Sequence, residues 1–513
     1  MNEPILNPFL EKKHLSTLTD PCIIVIFGAT GDLTARKLMP ALYNLTKEGQ
    51  LPIQFACVGF ARRTKTHEEF RQEAKESVMK FSRSKPLDQS LWAQFEQHLF
   101  YHCAEFDNED GYASLANLLQ NLDQRFATKG NRIFYLSTQP SSFITISENL
   151  YKKGLVYKED VKDKWSRLII EKPFGRDHLS AIELQKQLLH FFSEKQIFRI
   201  DHYLGKESVQ NLMVFRFANT FFEPLWNHKY IDHIQITMSE DIGIGTRGNL
   251  WEESGLLRDV VQNHIIQLIS LVAMEQPKSL KADDIRDEKV KVLKALRPFS
   301  EKNLATDIVR AQYNEGFIDG KEVLKYREEN NVAPDSFVET FVAFKLFIDN
   351  QRWKDVPFYI RSGKRLPKRA TEIAVVFKAS PSSLFDESDE KKEANVLAIR
   401  IQPDEGASLK MNCKVPGPSS PIQPVKMDFK YATYFGMSPP EAYERLICDC
   451  ILGDSTLFAR EDEVVESWKF LTPILDHWNK HKEETCCFYK AGTWGPEEAN
   501  QIIEKDGRKW RLI

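Results

Sequence analysis

No two of the eight cysteines are spaced C-x-x-C, and the intervals between Cys22, Cys57, Cys103, Cys413, Cys448, Cys450, Cys486 and Cys487 match no zinc-ligand pattern. We read them as reduced thiols of a cytoplasmic protein and expect no metal site. Long apolar runs are also missing. The longest, Ile265 to Met274, is interrupted by Gln267 and Ser270 and falls well short of the ~20 residues that cross a bilayer. The first twenty residues carry charge and lack the apolar stretch of a signal peptide. Charge of one sign is not in excess. Seventy Lys and Arg face 73 Asp and Glu, a formal net charge of -3, which gives no reason to expect nucleic acid or an anionic membrane as partner. Internal repeats, heptads and low-complexity tracts are absent too, which argues against a purely structural role.

What is present suits a large globular protein. Hydrophobic residues make up 42% and charged residues 28% of 513, enough to build a core. At ~150 residues per domain the length suggests two to four domains. Residues 1–20 read as a flexible arm with two prolines and no sustained period. Cys22 to Phe27 is a continuous apolar run of strand length, the mark of a strand buried on both faces. A helix over 32–48, a strand over 54–59, helices within 66–98, strands at 131–136 and 166–170 and a helix over 177–196 follow. This alternation predicts a doubly wound, Rossmann-type parallel sheet over 21–199. Beyond it the runs 230–237, 337–344, 372–377 and 396–401 alternate apolar with polar residues. They predict a larger α+β domain over 200–513 with a mostly antiparallel sheet, covered by helices near 204–217 and 256–274. Residues 380–394 and 415–424 read as loops.

Gly28-Ala-Thr-Gly31 follows the first strand and opens a helix. A tight turn with bare backbone lets N–H groups at a helix start approach a pyrophosphate. The pair of glycines alone is equally consistent with a plain strand-to-helix turn. The second strand ends at Gly59-Phe-Ala-Arg62-Arg63. NAD-binding proteins usually place an acidic residue there for the ribose hydroxyl; a basic one suits the 2′-phosphate of NADP. Arg62 is the stronger candidate, Arg63 the weaker.

Arg199-Ile-Asp-His-Tyr-Leu-Gly-Lys-Glu207 resembles the signature of the glucose-6-phosphate dehydrogenase family. Gly28 to Leu33, Glu171-Lys-Pro-Phe-Gly175, Arg258-Asp-Val-Val-Gln-Asn-His264, Arg361-Ser-Gly-Lys364 and Arg400-Ile-Gln402 match in the family's order and spacing. The resemblance runs from about residue 21 to 495. It implies oxidation of glucose 6-phosphate at its anomeric carbon to the phosphogluconolactone, the first step of the oxidative pentose phosphate pathway, with hydride passed to NADP.

The resemblance also assigns roles. His264 is the expected general base, a group whose ordinary pKa suits proton removal from the C1 hydroxyl, and Asp201 its orienting partner. His202, Tyr203 and Lys206 are expected on the substrate phosphate, with Lys364 as a second substrate lysine. Glu240, Asp259 and Gln402 fall on positions that hold sugar hydroxyls. Lys172 matches the lysine that reaches sugar and cofactor, and Pro173 beside it is a candidate hinge. The expected NADP residues are Gly28, Thr30, Gly31, Asp32, Leu33, Arg62 and Lys172; Lys37 is a looser candidate near the nicotinamide or the cleft.

Thr34 departs from the family's usual alanine, and we expect slightly looser packing there. Lys410 and Trp510 fall where some members bind a second, structural NADP, but the surrounding aromatic and arginine pattern is incomplete, so no second site is expected. Two alternatives stand beside this reading: a dehydrogenase of another hexose phosphate, and a non-catalytic NADP-binding sensor. By analogy with the family, a homodimer or homotetramer is expected.

Overall fold

A computed structural model describes residues 20–158, 164–380, 393–417, 422–435 and 440–513. The arm expected over 1–20 lies outside the described residues but for Asp20, as does most of the 380–394 loop. The chain forms two compact units. The first gathers Met1–Gly205 with Lys278–Arg286 and Pro440–Val465. The second comprises Lys206–Pro277, Asp287–Pro439 and Glu466–Ile513. Residues 440–465, which the sequence reading had grouped with the second domain, therefore pack in the first.

The first unit is built on β1 (Cys22–Phe27), β2 (Phe55–Ala61), β3 (Leu99–Cys103), β4 (Arg132–Leu136), β5 (Ser166–Ile170) and β6 (Ile197–Ile200). All six run parallel, in the order β6-β5-β4-β1-β2-β3, and a short strand at Phe458–Ala459 adds antiparallel to β6. Every residue of β1, β2 and β4 is buried, as helices on both faces require. The order reverses between β1 and β4, and doubly wound sheets bind ligands outside the carboxyl ends of strands at such a reversal. Strands β3 and β6 were not read from sequence: β3 carries a histidine and a cysteine, and β6 has four residues. Helix starts follow local chemistry. Thr66 and Glu69 form a capping box at His67–Phe81, and Asp177 caps His178–Phe191.

The second unit holds a nine-stranded sheet. Its strands are β7 (Ile231–Ser239), β8 (Ile308–Asn314), β11 (Phe341–Leu346), β12 (Phe358–Gly363), β13 (Ala370–Phe377), β14 (Val396–Gln402), β15 (Gly406–Lys414), β16 (Ile422–Lys430) and a last strand at Cys486–Lys490; β9 (Gly316–Ile318) and β10 (Lys321–Val323) form a separate hairpin. The sheet is mostly antiparallel, as expected, with two parallel pairs: β7 with β12, and β8 with Cys486–Lys490. The stretch 415–424, read as loop, gives its last residues to β16, where Pro424 is tolerated because β16 is an edge strand. Helix Glu207–Phe217 packs on β14, with the Ser208 hydroxyl donating to the Ile401 carbonyl at 3.3 Å. Among the described residues no helix is long and apolar enough to cross a membrane.

Candidate active site

In the first unit, Gly28 ends β1 with φ of 81°, a conformation that L side chains rarely adopt. A Cβ there would also collide with the Ser137 carbonyl. Gly31 donates its N–H back to the Gly28 carbonyl at 2.9 Å and closes the turn. The next segment is a π-helix, Thr34–Leu38, not the α-helix expected, and it passes into an α-helix at Met39–Lys47. Thr34 is buried, and its hydroxyl donates to the Gly28 carbonyl at 3.3 Å. The expected looseness is thus offset by a hydrogen bond that an alanine lacks. Thr30 lies in the turn at the carboxyl end of β1, and Asp32 and Leu33 begin the helical segment that follows it. Arg62 and Arg63 are exposed immediately beyond β2, the neighbour of β1. The main chain here is anchored: the Tyr101 hydroxyl donates to the Arg63 carbonyl. Lys37 forms an ion pair with Glu441 at 2.8 Å.

Lys172 is the second residue beyond β5, and the Lys172–Pro173 peptide is cis. Asp201 follows β6, is 1% exposed, and accepts the Tyr203 N–H at 3.0 Å. His202 lies between them in sequence, its ring parallel to that of Tyr443 at 6.2 Å. Lys172, Asp201, His202 and Tyr203 therefore all stand just past the carboxyl ends of β5 and β6.

In the second unit the register of the sheet collects the candidates. β7 and β12 are parallel, with Ser239 opposite Gly363. The next residues are Glu240 and Lys364, so the two side chains emerge together, and the Lys364 ammonium donates to the Glu240 carboxylate. The main chain fixes this end: Glu240 N–H donates to Gly363 O at 3.0 Å, and Leu366 N–H to Glu240 O at 3.0 Å. Lys364 is 2% exposed and lies over the Trp251 ring at 4.9 Å, a contact not anticipated from sequence. Ala370 pairs with Ser239 and Thr371 with Gln402, which brings Gln402 to the same end of the sheet. The Lys206 ammonium donates to Gln402 Oε1 at 2.5 Å.

His264 and Asp259 lie in a second π-helix, Leu257–Ile265. Their interval of five is one turn of i→i+5 hydrogen bonding, and π-segments recur at functional sites. Gly255 (φ 65°) breaks the chain before it, and the buried Glu339 carboxylate accepts the Leu257 N–H at 2.9 Å. Burial pushes Glu339 upward, and this backbone hydrogen bond counters part of that rise. Glu339 escaped the sequence reading because a lone acid within an apolar run carries no signature.

Two family models, described as the NAD binding domain and the C-terminal domain of glucose-6-phosphate dehydrogenase, match residues 25–211 and 213–511. The chain belongs to the glucose-6-phosphate dehydrogenase family. A glucose-6-phosphate 1-dehydrogenase of Chlamydia pneumoniae is 56% identical over 497 residues, covering 96% of each chain. That of Bacillus subtilis is 46% identical over 488 residues, covering 95% of this chain and 98% of its own. Among solved structures, a glucose-6-phosphate dehydrogenase in complex with glucose 6-phosphate aligns with TM-score 0.88 at 35% identity, covering 97% of this chain and 100% of its own. The Mycobacterium avium glucose-6-phosphate 1-dehydrogenase aligns with TM-score 0.80 at 34% identity, covering 96% and 99%. The nine-residue run from Arg199 is the family signature in this chain. Lys410 and Trp510 are both engaged within the second unit. Lys410 pairs with Glu393 at 2.6 Å, and Trp510 lies over the Arg361 guanidinium at 4.6 Å, with Trp494 over it at 4.7 Å.

Proposed function

We propose that this chain is an NADP-dependent glucose-6-phosphate dehydrogenase that converts glucose 6-phosphate to 6-phosphoglucono-1,5-lactone. The gathering of Lys206, Gln402, Glu240 and Lys364 at one end of the second sheet carries the reading. Ammonium groups beside a carboxylate and an amide are what a phosphorylated sugar needs: cations for the phosphate, acceptors and donors for the hydroxyls.

The residues present fit a dinucleotide. The turn at Gly28 leaves no room for a Cβ, and Arg62 is exposed where a 2′-phosphate is recognised. When bound, NADP supplies the hydride acceptor. The protein's own work is to bind, orient and deprotonate. His264 takes the proton of the C1 hydroxyl as the hydrogen on C1 departs as hydride, and Asp201 holds the imidazole in one tautomer. His202, Tyr203 and Lys206 bind the phosphate; Lys172, Lys364, Glu240, Asp259 and Gln402 hold the sugar. Gly28, Thr30, Gly31, Asp32, Leu33 and Lys172 complete the dinucleotide site.

The product places the enzyme at the entry to the oxidative pentose phosphate pathway, in the cytoplasm. Self-association as a dimer or tetramer is part of the reading. The exposed Val425, Met427, Tyr434 and Phe435 on and after edge strand β16 support it, since apolar side chains clustered on a sheet edge favour a partner. The deciding experiment is a steady-state assay of reduced cofactor with glucose 6-phosphate and other hexose phosphates, each with NADP and NAD. Robust NADPH formation with glucose 6-phosphate is expected. A preference for another hexose phosphate moves the assignment to that substrate, and binding of NADP without turnover makes the protein a sensor.

A further inference from the structure

Glu171 has no role in the site described above, yet it sits within it. It is the first residue beyond β5, at the carboxyl edge of the doubly wound sheet, and it precedes Lys172. The Tyr135 hydroxyl, from β4, donates to its Oε1 at 2.5 Å. Tyr443, from helix Ala442–Leu452, neighbours the same carboxylate. The Tyr443 ring lies parallel to His202, with an interplanar angle of 12°. The charged groups near Glu171 are Lys172 on its own loop and Asp201 beyond β6. Glu441 and Asp201 face Tyr443, and Cys450 faces Tyr135. Glu171 and its two tyrosine neighbours thus lie beside three residues of the proposed site: Lys172, Asp201 and His202.

We propose that Glu171 is a positioning residue for the dehydrogenase reaction: held by the Tyr135 hydroxyl, its carboxylate balances the Lys172 ammonium and adds to the negative field around Asp201. The proposal rests on the functional reading given above. A simple anchor between strand and helix would not require an acid. An amide accepts the same hydroxyl donor without the cost of a charge held away from water. What the acid adds is charge beside Lys172 and Asp201. Burial pushes the Glu171 carboxyl up to about 7, against the stabilising contacts of Tyr135, Lys172 and Tyr443. Its charge therefore changes in the neutral range. Below that range the proton neutralises the carboxylate and leaves Lys172 without this counter-charge; above it, the anion stabilises positive charge developing on the base that Asp201 orients.

The test compares kcat/KM and kcat for glucose 6-phosphate across roughly pH 5.5–9 in the wild type, Glu171→Gln and Tyr135→Phe. The wild type is expected to lose activity on the acid side through two ionisations and Glu171→Gln through one. In Glu171→Gln, kcat should fall about tenfold or more while KM for glucose 6-phosphate moves little, as for a group that acts by positioning. Tyr135→Phe keeps the acid but removes a donor to its charged form, so the associated inflection should move to higher pH. This second variant also serves if Glu171→Gln does not fold. A Glu171→Gln profile that superimposes on the wild type after scaling overturns the proposal and leaves the functional reading intact, as does an unmoved inflection in Tyr135→Phe. A wild-type protein that forms no NADPH overturns both.

Discussion

Lys364 and Glu240 are the first residues beyond two parallel strands in register, and their side chains meet because Gly363 stands opposite Ser239. The pair is unequal: the lysine side chain is 3% exposed, the glutamate 34%. Removing the glutamate strands a buried ammonium, whereas removing the lysine leaves a carboxylate that water reaches. Glu240→Ala should therefore destabilise the protein by on the order of 3 kcal/mol, and Lys364→Met by less. Unfolding midpoints of the two variants check the order. Lys364→Met should in addition raise KM for glucose 6-phosphate; an unchanged KM would count against its place on the substrate.

His264→Ala should lower kcat by about 10²–10⁴-fold with a small change in KM, the signature of a lost general base. Near-full kcat in the folded variant would contradict the assignment. Lys206→Ala should behave oppositely, raising KM for the sugar phosphate far more than it lowers kcat.

Arg62 is exposed beyond β2, so its replacement disturbs no packing. Arg62→Ala should raise KM for NADP far more than KM for NAD. Equal effects on the two cofactors would remove the 2′-phosphate assignment.

Arg508, in the C-terminal segment, holds Asp232 on β7 through two hydrogen bonds, at 2.8 and 2.9 Å. Burial pushes Asp232 upward, but the contacts with Arg508 and His233 outweigh it and hold the carboxyl below its usual range. A folded-state pKa below the unfolded one means that the contribution to stability is complete above about pH 4 and is lost as pH falls further. Asp232→Asn should lower the melting temperature at neutral pH, and its gap from the wild type should close on acidification. A gap independent of pH would refute the link.

Much of the first unit was legible in the chain because β1, β2, β4 and β5 are apolar runs of strand length, each followed by helix-forming sequence. β3 ends on His102 and Cys103 and β6 is split by Arg199, so neither stands out as an apolar run. The glycine turn was readable because Gly28 needs a positive φ; the π-helices were not, since a single inserted residue per turn leaves the apolar pattern nearly unchanged. The conventional candidates came from motifs. Glu171 heads one of those motifs but received no role, and Glu339 and Trp251 stayed silent, because a single acid or aromatic ring is ordinary in any sequence and only its neighbours distinguish it.

The chain by itself determined the alternation of strands and helices, the phosphate-type turn and the family, because these rest on local pattern and short-range spacing. Tertiary structure decided the rest. It placed residues 440–465 in the first unit, joined Glu240 to Lys364 and Lys206 to Gln402 through strand register, and set the Tyr135 hydroxyl on Glu171. The cause is that pairing between strands and burial of charge connect residues 36 to 196 positions apart, where no local preference of the chain can reach.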